Sequence, residues 1–118
     1  MFLDGRKIGL FGGSFDPPHL GHVHFSVQAI KQFNLDKVIW LISPGNPLKN
    51  MAPAPIQVRL RHAQNISHNP NIIISKVETE IGARYSWETL DFFSLKYPRT
   101  KFVWLMGSDN LAQFHLWK

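Results

Sequence analysis

The chain has 118 residues, 44% of them apolar, with eight glycines, eight prolines and no cysteine. This composition fits one globular unit and excludes a disulfide framework or a thiol nucleophile. No run of about 18 apolar residues could span a membrane, and residues 1–7 lack the apolar core of a signal peptide, so a cytoplasmic setting with no membrane partner is expected. The formal net charge of +5 favours anionic partners such as nucleotides, but the charges are scattered, with no basic block of the kind that binds nucleic acid.

The chain alternates strand and helix patterns. Lys7–Phe11 reads as a first strand. Leu20–Phe33 reads as a helix, with Leu20, Val23, Val27 and Ile30 at helical spacing. Lys37–Ile42 is a continuous apolar run, as in a strand covered on both faces. A loop rich in Pro, Gly and Asn follows over Ser43–Pro55, and then a helix over Gln57–Ile66 with Leu60 and Ala63 inward. Asn71–Ser75 is the third strand, Thr79–Arg84 a loop, and Ser86–Lys96 a helix with Ser86 as its cap and Trp87, Leu90 and Phe93 apolar. Lys101–Met106 is the fourth strand, and Asp109–Phe114 reads as a short helix. The pattern predicts an α/β fold with a doubly wound, mostly parallel sheet. Ligands of such sheets bind beyond the strand C-termini, where strand order reverses. Three loops converge on that edge: the one after the first strand, Ser43–Asn50 after the second, and Gly107–Asp109 after the fourth.

The loop after the first strand carries most of the chemistry. It reads Gly12-Gly13-Ser14-Phe15-Asp16-Pro17-Pro18-His19-Leu20-Gly21-His22. A strand, a glycine-rich turn and a helix start present backbone N–H groups and a positive dipole end to a phosphate. His19 and His22 are three apart and share one side of the first helical turn, where each can donate an N–H bond to a phosphate oxygen. Gly21 between them leaves room for a ligand to approach the backbone. Asp16 is placed to orient the loop. The stretch lacks the Lys-Ser/Thr of a Walker A loop and the G-x-G-x-x-G spacing of a dinucleotide fingerprint. Without cysteine or a His-Glu-x-x-His helix, the histidines make no zinc set, and no protein metal ligand is assigned. His24 reads as a solvated helix residue.

The pattern G-G-S-F-D-P-P-H-x-G-H resembles the nucleotidyltransferase superfamily with the (H/T)-x-G-H signature. The resemblance implies that Gly12, Gly13, Ser14, Phe15, His19, Gly21 and His22 bind ATP. Further segments are similar to the bacterial nicotinate mononucleotide adenylyltransferases. They are the proline-rich loop Ser43–Lys49 ending in Lys, the segment Arg84-Tyr85-Ser86-Trp87-Glu88-Thr89-Leu90, and Gly107-Ser108-Asp109 with Trp117 eight residues on. By that likeness Tyr85, Ser86, Gly107, Asp109 and Trp117 hold the nicotinate nucleotide: backbone groups at Tyr85-Ser86 take its carboxylate, Trp117 stacks on the pyridine ring, and Asp109 contacts a ribose. Taken singly, Lys49 also reads as a solvated cation, Trp117 as a packing aromatic, Asp109 as a helix cap and Tyr85-Ser86 as a helix start.

The reaction implied joins ATP and nicotinate mononucleotide into deamido-NAD and pyrophosphate. The attacking phosphate oxygen is already ionised, so no general base is required. His19, His22 and Lys49 would serve by positioning and by stabilising charge on the leaving pyrophosphate, with Mg²⁺ carried mainly by substrate oxygens and water. Transfer to another acceptor, such as pantetheine phosphate, and non-catalytic nucleotide binding are the alternatives. The family pattern continues with a strand and a helix carrying I-S-x-T-x-x-R. The expectation is therefore a chain shortened at its C-terminus, its fourth strand an uncovered apolar edge prone to self-association as a homo-oligomer.

Overall fold

The computed structural model describes residues 5–44, 54–83, 85–106 and 113–116, with no account of side chains at Met106 or over 113–116. Its elements are β1 (Lys7–Gly13), α1 (Leu20–Phe33), β2 (Lys37–Ile42), α2 (Ile56–Ile66), β3 (Ile72–Ser75), α3 (Val77–Ile81), α4 (Ser86–Lys96), β4 (Lys101–Met106) and β5 (Gln113–Leu116). The sheet order is β3-β2-β1-β4-β5. β1, β2, β3 and β4 are parallel, so the chain winds outward through β3 and then crosses to the other side of β1. Strand order therefore reverses between β1 and β4, the position at which open α/β sheets bind ligands beyond the strand C-termini.

Both faces of the sheet are covered, which is why β1, β2 and β4 read as nearly unbroken apolar runs. On one face Phe25 and Ala29 of α1 and Ala63 of α2 pack on Phe11, Val38, Trp40, Ile42, Val103 and Leu105. On the other, Leu90, Phe93 and Tyr97 pack on Ile8, Leu10, Ile39, Leu41, Phe102 and Trp104. Period-two alternation along each strand divides its side chains between these layers. α1 stops at Asn34, whose left-handed backbone (φ 56°) lets its N–H return to the Ile30 carbonyl.

The structure corrects the sequence reading in four places. Residues 79–81, read as loop, close the short helix α3, which ends at Gly82 in the left-handed region at φ 69°. Tyr85, not Ser86, caps α4, and Trp87 is exposed instead of packed. Gln113–Leu116 is an extended strand antiparallel to β4, so the helix read over Asp109–Phe114 does not form at 113–114. β5 covers the edge of β4 that was expected to lie open, which removes the stated reason for self-association.

The opposite, N-terminal edge of the sheet holds a shallow depression of about 380 Å³ lined by Arg6, Lys7, Arg99 and Lys101 around Asp36. Lys7 and Lys101 are direct partners on adjacent strands. Asp36 accepts from the Lys7 backbone N–H at 2.9 Å and lies 3.9 Å from the Arg6 guanidinium. The C-terminus of α1 ends beside them.

Candidate nucleotide-binding site

β1 runs on through Gly12 and Gly13, so the two glycines belong to the strand and not to the turn. The Trp104 ring covers Gly12: a Cβ there would lie 3.1 Å from Trp104 Cζ2, so the ring would have to give by a few tenths of an ångström. The turn itself is Ser14–Pro18, with a cis Asp16–Pro17 bond and Phe15 in the left-handed region at φ 50°. A bulky residue in that region is strained, and such strain collects at ligand sites. The Phe15 ring is buried. It lies edge-on to Phe11 at 5.3 Å and stacks on Trp40 at 5.0 Å, with the His22 ring at 4.6 Å. The turn is thus pinned from beneath by an aromatic cluster that also carries His22.

His19 is the N-cap of α1, not a residue of its first turn, and His22 is the third helical residue. Their bonds are reciprocal. The Gly21 N–H donates to His19 Nδ1 at 3.1 Å, and the His19 N–H donates to His22 Nδ1 at 3.0 Å. Two imidazoles thus build the capping box that Ser and Glu build elsewhere. The consequence is chemical. With Nδ1 of each ring acting as acceptor, the ring N–H is on Nε2. Both Nε2–H groups are left as donors beside a helix N-terminus. Burial, and then the neighbouring His19, lower the His22 pKa to about 4, so His22 is neutral at pH 7 and acts through its N–H and not through charge.

Gly21 has a different use from the one its position suggested. The space above it is filled by the His19 ring, whose Cε1 and Nδ1 lie 2.8 Å from where a Cβ would stand. Gly21→Ala gains about 1 kcal/mol of helix propensity and loses a cap of similar size. We therefore expect the thermal midpoint to change little while affinity for a phosphate-bearing ligand falls about tenfold, roughly 1.4 kcal/mol, because the His19 ring is displaced. Calorimetric titration beside a thermal melt checks this; an unchanged Kd would show that the His19 orientation is immaterial.

Arg59 of α2 is a site residue that sequence reasoning missed. Its side chain is 1% exposed. Its Nε donates to the Ala54 carbonyl at 2.7 Å, and its Nη1 to the carbonyls of Ser14 at 2.8 Å and Ser43 at 2.7 Å. The loops after β1 and β2 are tied to α2 through one guanidinium. Asp16 adds a second tie, its Oδ2 accepting from the Ala54 N–H at 3.2 Å, which fits the orienting role expected of it. The available signal was position: Arg59 and Ala63 are four apart, on the inward stripe of α2.

Tyr85 and Ser86 open α4, which packs on the other face of the sheet. A helix leading into a parallel strand begins at the edge where the strands end, so both residues are on the side of His19 and His22. The Tyr85 N–H is already engaged by Glu88 Oε1 at 3.0 Å. Gly107, Asp109 and Trp117, as well as Lys49, lie outside the described residues.

Comparison with known proteins now decides the family. The cytidylyltransferase-like family model matches residues 10–118. The chain belongs to the cytidylyltransferase-like family. A relative from Roseobacter denitrificans, named "Probable nicotinate-nucleotide adenylyltransferase", is 57% identical over 114 residues, covering 97% of this chain and 57% of its own length. Another of that name from a Caulobacter species is 44% identical over 113 residues, covering 95% of this chain and 60% of itself. The chain thus spans a little over half the length of these relatives. Among solved structures, the Plasmodium falciparum nicotinic acid mononucleotide adenylyltransferase complexed with NaAD superposes with a TM-score of 0.69 at 16% identity, over 87% of this chain and 51% of that one. That likeness establishes the Rossmann-like fold. Among the described residues, no helix of this cytidylyltransferase-like chain is long and apolar enough to cross a membrane.

Proposed function

We propose that this chain carries the nucleotide-binding half of an enzyme that transfers the adenylyl group of ATP to nicotinate mononucleotide, giving deamido-NAD and pyrophosphate in the cytoplasm. The observation that carries the reading is the two-histidine cap. The His19 and His22 rings, each with Nδ1 engaged as an acceptor in the cap, stand at a helix N-terminus, on the sheet edge where strand order reverses. The names of the relatives support the choice of acceptor.

In this reading His19, His22, Gly21 and the backbone of Gly12–Phe15 receive the ATP phosphates. The acceptor lies toward the start of α4. There the Glu88 carboxylate holds the Tyr85 N–H, so the nicotinate carboxylate is left to Ser86 and the next N–H of that first turn. Gly107, Asp109 and Trp117 complete the acceptor side by resemblance, and Lys49 the phosphate side. The reaction needs alignment of an ionised phosphate with the α-phosphorus and stabilisation of the departing pyrophosphate. Among the described residues no three His, Cys, Asp or Glu side chains gather to hold a metal. Mg²⁺ would enter with the ATP phosphates, as a small hard ion that keeps most of its water and phosphate ligands, and would neutralise their charge.

The test is a titration with ATP and then with nicotinate or nicotinamide mononucleotide, read by tryptophan fluorescence and calorimetry, with chromatographic detection of deamido-NAD. Helix-start N–H donors favour the carboxylate form, and a preference of at least about tenfold for it, close to 1.4 kcal/mol, is expected. Equal affinity for the two nucleotides, or a response confined to pantetheine phosphate, would reassign the acceptor.

A further inference from the structure

We infer that Arg59 is a positioning residue for the phosphate loop: it fixes the direction of the Ser14–Phe15 peptide and thereby aims the Phe15 N–H at the anion. The inference rests on the proposed nucleotide site for its ligand, but its geometric half stands without one.

A trans peptide is planar and directs its C=O and N–H to opposite sides. Arg59 Nη1 draws the Ser14 carbonyl to itself at 2.8 Å, behind the loop and within the protein. The N–H of the same peptide unit belongs to Phe15 and therefore points away from Arg59. No hydrogen bond among the described residues engages that N–H. Ser43 and Ala54 present their carbonyls to the same guanidinium, and each is followed by proline, Pro44 and Pro55. Neither of those peptides has an N–H to offer, so of the three peptides that Arg59 grips only Ser14–Phe15 can turn a donor outward.

The grip works against strain. Phe15 is left-handed, a conformation that a bulky residue leaves unless its surroundings hold it. The ring is held by Phe11, Trp40 and His22, and the preceding carbonyl by Arg59. A planar guanidinium delivers several N–H bonds from one fixed plane, which a lysine ammonium on a flexible stem does not reproduce. Arg59 is fully buried, so its contribution to a ligand acts through the loop and not by direct contact.

The experiment compares Arg59→Lys with Ala63→Gly, a destabilising control in the same helix that makes no hydrogen bond to either loop, at temperatures well below both thermal midpoints. The first readout needs no ligand: the backbone amide resonance of Phe15 and the imidazole resonances of His22, in spectra of the otherwise folded chain. The second is ATP affinity by calorimetry. In Arg59→Lys the Phe15 amide is expected to move or broaden and ATP affinity to fall at least tenfold. Ala63→Gly is expected to leave both within twofold of the parent. A folded Arg59→Lys with parental Phe15 and His22 resonances overturns the positioning role, and so does an equal loss of affinity in Ala63→Gly. If the parent chain fails to bind ATP while the Phe15 resonance still shifts in Arg59→Lys, the nucleotide reading fails and the positioning role stands. Should Arg59→Lys not fold, Arg59→Gln read by the same resonances takes its place.

Discussion

If the site performs the adenylyl transfer proposed above, replacing His22 by alanine is expected to slow it by about 10²–10³-fold, the loss of one donor to developing charge being worth about 3–4 kcal/mol. His19→Asn is expected to act similarly for a separable reason. Asparagine is among the best N-cap residues, so α1 keeps its cap and the thermal midpoint holds, but the imidazole Nε2–H is gone. Steady-state rates beside thermal melts check both variants. Rates within about threefold of the parent in both would remove the histidine pair from the chemistry. The pH dependence has a definite sign. The His22 pKa is about 4 in the folded chain against an ordinary 6.5. Between those values the unfolded chain binds the proton more readily than the native one, so stability rises with pH through this window. The contribution is fully present above pH 6.5 and is lost as pH falls toward 4. His22→Ala should therefore flatten the acid limb of the stability curve as well as slow the reaction.

Trp40→Ala is expected to destabilise the fold by about 3–5 kcal/mol, a large share of the roughly 5–15 kcal/mol that holds a typical domain together. Trp40 is fully buried and is the largest side chain at the centre of the α1 face. Its indole Nε1 donates to Ser26 Oγ at 2.8 Å, and that hydroxyl donates to the His22 carbonyl at 2.8 Å. The tryptophan therefore supports the histidine helix from two sides, by stacking under Phe15 and by this relay. Trp40→Phe keeps most of the ring and gives up the relay, and should cost less, about 1–2 kcal/mol. Urea unfolding orders the three proteins; a Trp40→Ala midpoint equal to that of Trp40→Phe would show that packing is not the main term.

Much of this fold was legible in the sequence, for physical reasons that differ by element. β2 was plain because a parallel strand covered on both faces must be apolar throughout, and Val38–Ile42 is. α1 was plain because fourteen residues of helical periodicity follow a loop whose residue types are otherwise hard to explain. β5 was misread, as part of a helix over Asp109–Phe114, because the pairing with β4 that makes the segment a strand depends on residues outside it. α3, at five residues, is too short for periodicity to register. Within the site, the histidines and glycines were found but their mutual arrangement was not. No spacing rule says that His19 becomes the cap and fills the space over Gly21. Arg59 escaped because arginine is counted as surface charge, and only the three carbonyls brought together by tertiary structure make its burial tolerable.

The cations gathered at the N-terminal edge of the sheet change what the net charge of +5 means. Arg6, Lys7, Arg99 and Lys101 are clustered at the end of the molecule opposite His19 and His22. In a parallel α/β sheet that edge collects the negative ends of the helix dipoles, and basic side chains are accommodated there for that reason. A strand length of about 3.3 Å per residue over the seven residues of β1 separates this cluster from the histidines by more than a Debye length at physiological ionic strength. A nucleotide approaching the proposed site would therefore be guided at short range, by oriented N–H groups, more than by the long-range field of these four residues. Added salt should slow its arrival only modestly, and the same salt would be felt most at the far edge, where Lys7 and Lys101 face each other across adjacent strands.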